Sequence, residues 1–417
     1  VDINLERIQA WNSDDLNRLP VFEPGLDEII KRTRYKNLNF SCDIEEKIRE
    51  AQMVFISVNT PTKIKGVGAG QASDLKYVEA CARQVAEFSS GYTIVVEKST
   101  LPVRTAEAMS RILSSGSSHS QFSVVSNPEF LAEGTAIPDL QEPDRVLVGG
   151  EENEFGCRAA RTIADLYGHW VTEDRVLLTN VWSSELSKLV ANAMLAQRIS
   201  SINSISALCE RTQANIVEIS RAIGMDRRIG PHFLQASIGF GGSCFPKDTK
   251  ALVKMSHRKK MPSKIVEAAI KSNSLQKKRM TDKLKIMMKG KIKGKKVAVL
   301  GLAFKAQTDD VRESSSIDMI RFLEKNSAFV MAYDPEASKN MKKIFPNIKY
   351  LDTWQEAVKG ASATVIMTEW NEFRSIDIGY LGKLMKSKIL LDTRNLFDTK
   401  TLLLHKFKFS TTGLGSN

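Results

Sequence analysis

In Gly239-Phe240-Gly241-Gly242-Ser243-Cys244-Phe245-Pro246-Lys247-Asp248 a thiol stands in a glycine-rich run, with an ammonium and a carboxylate close behind it. A nearby cation raises the thiolate fraction of a cysteine and glycines leave its sulfur accessible, so Cys244 has the surroundings of a nucleophile. Cysteine is also among the most buried residue types, and a small core residue in a tight turn accounts for the same letters. Lys188 and Asn192 stand one helical turn apart and share a face, as a cation and an amide donor would to hold an oxyanion; a polar helix face gives the same spacing. Glu129 follows Asn127-Pro128 and is flanked by Phe130 and Leu131, an apolar setting suited to a carboxyl that transfers a proton. Glu133, a turn further on, reads equally as support for a helix start.

These residues need elements to hold them. Four β-rich runs, MVFISV (53–58), TIVVEKS (93–99), FSVVS (122–126) and RVLVGG (145–150), alternate with helical segments, the pattern of βα units around a parallel sheet. Ligands gather at the carboxyl ends of such strands, which directs attention to the loops 59–62, 99–100 and 127–129. From 182 to 209 the apolar residues recur at helical spacing without proline or glycine, predicting one long helix. A second α/β unit runs through KKVAVLGLAF (295–304), AFVMAYDP (328–335), ATVIMTEW (363–370) and KILLDTR (388–394), with a helix in SSSIDMIRFLEK after an unusually long loop. The expected layout is α/β, helical, α/β: a Rossmann-like domain over 1–180, a helical domain over 181–285 and a second Rossmann-like domain over 286–417.

The chain has 417 residues, more than one core usually organises, and no apolar run approaches the ~20 residues of a membrane span. Nothing at its start reads as a signal peptide, so the cytoplasm is the expected compartment. Five cysteines, without CxxC or Cys/His spacing, predict neither disulfides nor a metal site. The net charge of +12 is richest in lysines over 254–296, but no nucleic-acid module accompanies them; a solvated surface and a phosphate-bearing small substrate both suit it.

A strand, GxGxxG and helix, the usual opening of a dinucleotide-binding unit, is missing; the glycines at 66, 68 and 70 follow no strand and read as a surface loop. Val1-Asp2, just before a plausible helix, reads as the end of a second strand whose acid would meet a ribose, placing the first strand and glycine loop upstream of residue 1.

Taken together, VNTPT (58–62), EKST (97–100), NPEFLAEGTAI (127–137), the helix 182–210, GMDRRIG (224–230), GFGGSCFPKD (239–248) and GLAFKAQTDDVRESSS (301–316) resemble the UDP-glucose/GDP-mannose dehydrogenase family, on its UDP-glucose side. The resemblance covers essentially the whole chain in order. It implies a four-electron oxidation of a nucleotide sugar with two NAD+ in succession, UDP-glucose to UDP-glucuronate, in which Cys244 is the nucleophile that captures the intermediate aldehyde. It further implies that Lys188 and Asn192 stabilise the oxyanion, that Asp248 and Thr100 manage the water and its proton, and that Glu129 acts in thioester hydrolysis.

For the substrate the resemblance implies Phe130, Leu131, Ala132 and Glu133 from the first domain and Phe233, Ser237, Phe240 and Gly241 from the second. Phe304, Lys305 and Arg394 come from the third, with Arg228 reaching in from a partner subunit. For NAD it implies Asp2, Arg7, Val58, Asn59, Thr60 and Thr62, then Ser99, Thr100, Glu133, Lys247 and Arg312. No metal, nucleic acid or membrane is implied, and the long helix is expected in a homodimer or larger homo-oligomer.

Three features depart from a single branch of the family: Gln235 stands where animal and plant members carry a lysine, while CFPKDTKAL and the compact third domain look bacterial. Sister enzymes acting on GDP-mannose or UDP-N-acetylhexosamines share the cysteine, lysine and aspartate, so they are the alternative. A catalytically silent chain that only binds a UDP-sugar is the alternative of a different class.

Overall fold

The computed structural model describes residues 1–417 except 64, 66–68, 71, 117–119 and 415–417. Most of the glycine run 66–70 therefore lies outside the described residues. Two compact units are present, Val1–Ala191 with Lys250–Met261, and Asn192–Thr249 with Pro262–Asn417.

In the first unit β1 (Met53–Ile56), β2 (Tyr92–Glu97), β3 (Gln121–Ser126), β4 (Val146–Gly150) and β5 (Val176–Asn180) form one sheet in that order. The runs of Val and Ile place side chains on both faces, into a cluster around Val95, Val124 and Leu113 and another around Val96, Val125 and Ile163. β1, β2 and β3 pair in parallel, so their carboxyl ends share one edge. The sheet is not parallel throughout: β3 meets β4 antiparallel at Ser126↔Gly149. The helix between them, Ala136–Gln141, has 6 residues. It is the one helix in the connection 127–145, so the chain passes between these strands without the long crossover helix of a βαβ unit. Val1 and Asp2 lie outside any strand, contrary to the reading of them as a strand end; Asp2 N donates to Ser41 O at 3.2 Å.

The second unit holds six parallel strands: β6 (Lys296–Leu300), β7 (Phe329–Tyr333), β8 (Lys349–Tyr350), β9 (Ala363–Ile366), β10 (Ile389–Asp392) and β11 (Lys408–Ser410). Their order, β8-β7-β6-β9-β10-β11, is the doubly wound 3-2-1-4-5-6 arrangement, which reverses between β6 and β9. Val297 and Val299 enter one core cluster and Ala298 and Leu300 the other, the alternation of a strand covered on both faces.

The predicted long helix spans Val181–Thr212, 32 residues, and passes through both units. Among the described residues no helix is long and apolar enough to cross a membrane.

Candidate active site

The carboxyl ends of β1, β2 and β3 are tied into one platform. Ser99 Oγ donates to Val58 O at 2.6 Å, Thr60 Oγ1 to Thr100 O at 3.2 Å and Asn127 N to Glu97 O at 3.0 Å. Of the residues predicted for NAD, Val58, Asn59, Thr60, Thr62, Ser99 and Thr100 sit in these loops. A pair of loops joined at the ends of parallel strands, with exposed Asn59 and half-buried Ser99 and Thr100, supplies the amide, hydroxyl and backbone groups a dinucleotide needs, so the residues present fit the cofactor. Half-buried Asp2 and exposed Arg7 are 4.0 Å apart near the start of the chain. Lys247 and Arg312 belong to the second unit.

Glu129 is at the end of the third loop. Its Oε1 is 3.2 Å from Lys188 Nζ, and its Oε2 accepts from Leu131 N at 2.7 Å. Lys188 is 3% exposed and its ammonium lies 5.2 Å from the centre of the Phe130 ring, whose other neighbour is the Arg145 guanidinium at 3.8 Å. The following turn is held by acids on its backbone: Asp139 accepts from Ala132 N at 2.8 Å, and Glu23 accepts from Gly134 N and Ala136 N, both at 2.8 Å. Glu133 is half-buried beside it.

In the second unit, Cys244 immediately precedes the helix Phe245–Arg258, half-buried, with Ser243 Oγ at 3.4 Å from its sulfur. A helix N-terminus favours negative charge, which suits a thiolate there. None of the five cysteines is in a disulfide. Asp248, 1% exposed, is in the first turn of that helix; Asn192 Nδ2 donates to its Oδ2 at 2.6 Å, and Lys247 Nζ lies 3.5 Å from its Oδ1.

The glycines before Cys244 serve close packing. A Cβ on Gly241 would meet Glu313 O at 2.4 Å, and one on Gly242, at φ +83, the Phe304 ring at 2.8 Å. Phe240 is pinned through its backbone by Asn273, Oδ1 to its N at 2.8 Å and Nδ2 to its O at 3.0 Å. Ser237 N donates to Asn203 Oδ1 at 2.8 Å. Gly242 N donates to Arg312 O at 2.9 Å, so the loop after β6 and the cysteine loop are hydrogen-bonded.

Phe304 and Lys305 follow β6, at the point where the strand order reverses. Arg394 braces that point: its Nε donates to Met367 O at 2.8 Å and its Nη2 to Phe304 O at 3.0 Å, with Nη1 3.1 Å from Glu369. Arg394 thus works on the loop backbone, a commitment its sequence context did not reveal. Asp334, at the end of β7, accepts from Leu302 N at 2.6 Å and Ala303 N at 3.1 Å, which fixes the same loop. Phe233 is exposed, in the left-handed region at φ 61, and its ring is 6.2 Å from that of Phe245. Arg228 is the outlier: its side chain is 89% exposed and pairs with Asp226 beside it.

A pair of acids to which the sequence alone assigns no role lies under the first platform. Glu185 accepts from Arg104 N at 2.6 Å and Ala106 N at 2.8 Å, holding Arg104 at φ 76. Glu97 lies against it, 1% exposed; burial, then the Glu185 charge, pushes the Glu97 carboxyl well above the ordinary carboxylate range. The signal was a carboxylate ending the apolar run TIVVE. A raised carboxyl pKa means the folded state keeps a proton the unfolded state loses, so stability falls as pH rises from the ordinary carboxylate range towards the raised value. Glu97→Gln, a neutral isostere, is expected to flatten that decline and to raise Tm by about 2–4 °C at neutral pH, if it relieves about 1 kcal/mol. Thermal melts of both proteins between about pH 5 and pH 9 check this; parallel curves would remove the neutral-acid assignment.

Comparison with known proteins fits this geometry. Residues 1–171 match the NAD binding domain of the UDP-glucose/GDP-mannose dehydrogenase family, 182–275 its central domain and 298–399 its UDP binding domain. A UDP-glucose 6-dehydrogenase of Oryza sativa subsp. japonica is 46% identical, over 96% of this chain and 88% of that protein. The UDP-glucose 6-dehydrogenase of Mus musculus is 48% identical, over 95% of this chain and 84% of that protein. Among solved structures, a UDP-glucose dehydrogenase from Pyrobaculum islandicum superposes with a TM-score of 0.88 at 30% identity, covering 100% of this chain and 91% of that one.

Proposed function

Because the chain belongs to the UDP-glucose/GDP-mannose dehydrogenase family, we propose that it oxidises UDP-glucose to UDP-glucuronate and that Cys244 carries the covalent intermediate. The observation that carries the reading is Cys244 at the head of Phe245–Arg258, with Asp248 one turn into that helix and hydrogen-bonded to Asn192. Val58, Asn59, Thr60, Ser99 and Thr100 would hold NAD, which would supply the hydride acceptor for both oxidations.

The sugar C6 alcohol loses a hydride and a proton to become an aldehyde. The Cys244 thiolate adds to its carbonyl carbon, and the resulting thiohemiacetal loses a second hydride to give a thioester. Water then adds to the thioester carbon, the carbon–sulfur bond breaks, and the acid leaves with the thiolate regenerated. Lys188 and Asn192, on consecutive turns of one helix, donate to the oxyanion in the addition steps. Asp248 and Thr100 orient the water, and Glu129 accepts its proton. Phe304, Lys305 and the loop that Arg394 braces receive the UDP, since a nucleotide in a doubly wound sheet lies where strand order reverses.

The long helix exposes an apolar stripe, Trp182, Leu186, Val190 and Met194, at 41%, 37%, 41% and 58%. Its i, i+4 spacing along one face supports a two-fold homodimer, and the exposed Arg228 suits a role in the neighbouring subunit's site. An odd number of cysteines without disulfides supports a reducing, cytoplasmic setting. NADH formation with UDP-glucose, GDP-mannose and UDP-N-acetylglucosamine in parallel tests the substrate: about two NADH per UDP-glucose is expected from the two-step scheme. Preference for either other sugar would replace the reading by that of a sister enzyme. Sedimentation of the same preparation tests the assembly, where a fully active monomer would count against the dimer.

A further inference from the structure

Lys98 directly follows β2 and Asn127 directly follows β3, and the two strands are neighbours in parallel register. Lys98 Nζ donates to Asn127 Oδ1 at 3.0 Å and to the Tyr167 hydroxyl at 2.8 Å. That hydroxyl in turn donates to Asn127 Oδ1 at 2.8 Å, which closes a triangle. Asn127 is 0% and Tyr167 5% exposed, and Asn127 Nδ2 donates to Leu147 O at 2.8 Å. The triangle sits two residues before Glu129, whose carboxylate is already paired with Lys188.

Lys98 is half-buried, and partly desolvating an ammonium against two neutral partners carries a cost that a neutral donor there would avoid. The charged groups that act on Lys98 are Glu129 and Lys188. Glu97 and Glu185, which also lie at this end of the sheet, act on each other, and Glu185 accepts from Arg104 N and Ala106 N. A second positive charge is thus held beside the Glu129–Lys188 pair on a rigid strand end.

We propose that Lys98 is a positioning residue for the oxidation: through Asn127 it fixes the turn that carries Glu129, and its charge adds to that of Lys188 in the field at the site. This rests on the reading that Glu129 and Lys188 act in the reaction. Burial, partly offset by Glu129 and reinforced by Lys188, brings the Lys98 ammonium down to about 8, so its charge is lost within a range where the enzyme can be assayed.

The test compares kcat and KM of the parent with Lys98→Arg, Lys98→Met and Tyr167→Phe across about pH 6.5 to pH 9.5, spanning that ionisation. Lys98→Met is expected to lower kcat about 10-fold to 10²-fold with little change in KM for UDP-glucose, because it displaces and weakens groups that act in the transition state. Lys98→Arg keeps its charge throughout, so the ratio of its kcat to the parent's is expected to rise as pH passes about 8. Tyr167→Phe removes one acceptor of the ammonium and is expected to move the parent's inflection to lower pH. Should Lys98→Met fail to fold, Lys98→Arg and Tyr167→Phe still decide. A pH-independent Lys98→Arg ratio, or parental kcat in folded Lys98→Met, overturns the proposal. Glu129→Gln and Lys188→Met run alongside separate the two levels: if they are impaired while Lys98→Met is not, only the role of Lys98 fails; if they are fully active, the underlying reading fails.

Discussion

Cys244→Ser is expected to bind UDP-glucose like the parent and to form UDP-glucuronate at least ~10³-fold more slowly, in keeping with the loss of a catalytic nucleophile. A hydroxyl is almost wholly un-ionised near neutral pH and adds poorly to a carbonyl carbon, whereas the thiol at a helix N-terminus is in a setting that favours the anion. The fold has little reason to change. Cys244 is half-buried, its sulfur is 3.4 Å from Ser243 Oγ, and a serine oxygen occupies less space at the same rotamer. The loop is held instead by Gly241 against Glu313, Gly242 against Phe304, and Asn273 on Phe240, none of which uses the sulfur. Since the first oxidation does not involve the thiol, the variant is expected to release at most one NADH per sugar where the parent releases two, by the two-step scheme. Single-turnover absorbance together with product analysis reads both quantities. Full acid formation by the serine variant would falsify the covalent mechanism.

Much of this was legible in the sequence because it depends on local rules. TIVVEKS and FSVVS are apolar runs bounded by polar residues, and they form β2 and β3 with ends close to those expected. The helix over 182–209 follows from its periodicity, and the structure extends it to Val181–Thr212. The cysteine loop announced itself through its glycines, although their purpose lies in contacts with residues 304 and 313, which no local pattern encodes.

What stayed hidden depends on pairing between distant segments. The antiparallel meeting of β3 and β4 pairs Ser126 with Gly149 across a connection that is mostly loop, which local propensity alone does not fix. Lys98 reads as one polar residue in a loop until Tyr167, 69 residues away, is seen on its ammonium. Glu185 looks like the polar side of a helix, yet it accepts from Arg104 and Ala106, which approach it from the head of another helix. Arg394 offers a guanidinium suited to a diphosphate; that its Nε and Nη2 also brace the carbonyl oxygens of Met367 and Phe304, with Nη1 near Glu369, depends on segments far apart in the chain.

Lys188→Ala is expected to lower kcat by about 10²-fold to 10³-fold while changing the KM for UDP-glucose far less, the pattern of a donor whose partner carries full charge only in the transition state. The position supports so large an effect. Lys188 is 3% exposed, and water-poor surroundings strengthen the field of its ammonium. Its ordinary partner, Glu129, keeps 28% of its side chain exposed, so removing the lysine leaves a carboxylate that water can still reach, and the fold should survive. Alanine also empties the space of a four-carbon stem beside Phe130, which could disturb the site for reasons of packing alone. Lys188→Met separates the causes, because it refills that space without a charge. If the ammonium matters as a donor to the oxyanion, methionine and alanine lose similar amounts of kcat and neither is rescued by raising UDP-glucose concentration. Recovery of most of kcat by methionine would assign the residue to packing. A defect confined to KM would assign it to substrate binding, and either result would leave the oxyanion to Asn192, one turn further along the same helix.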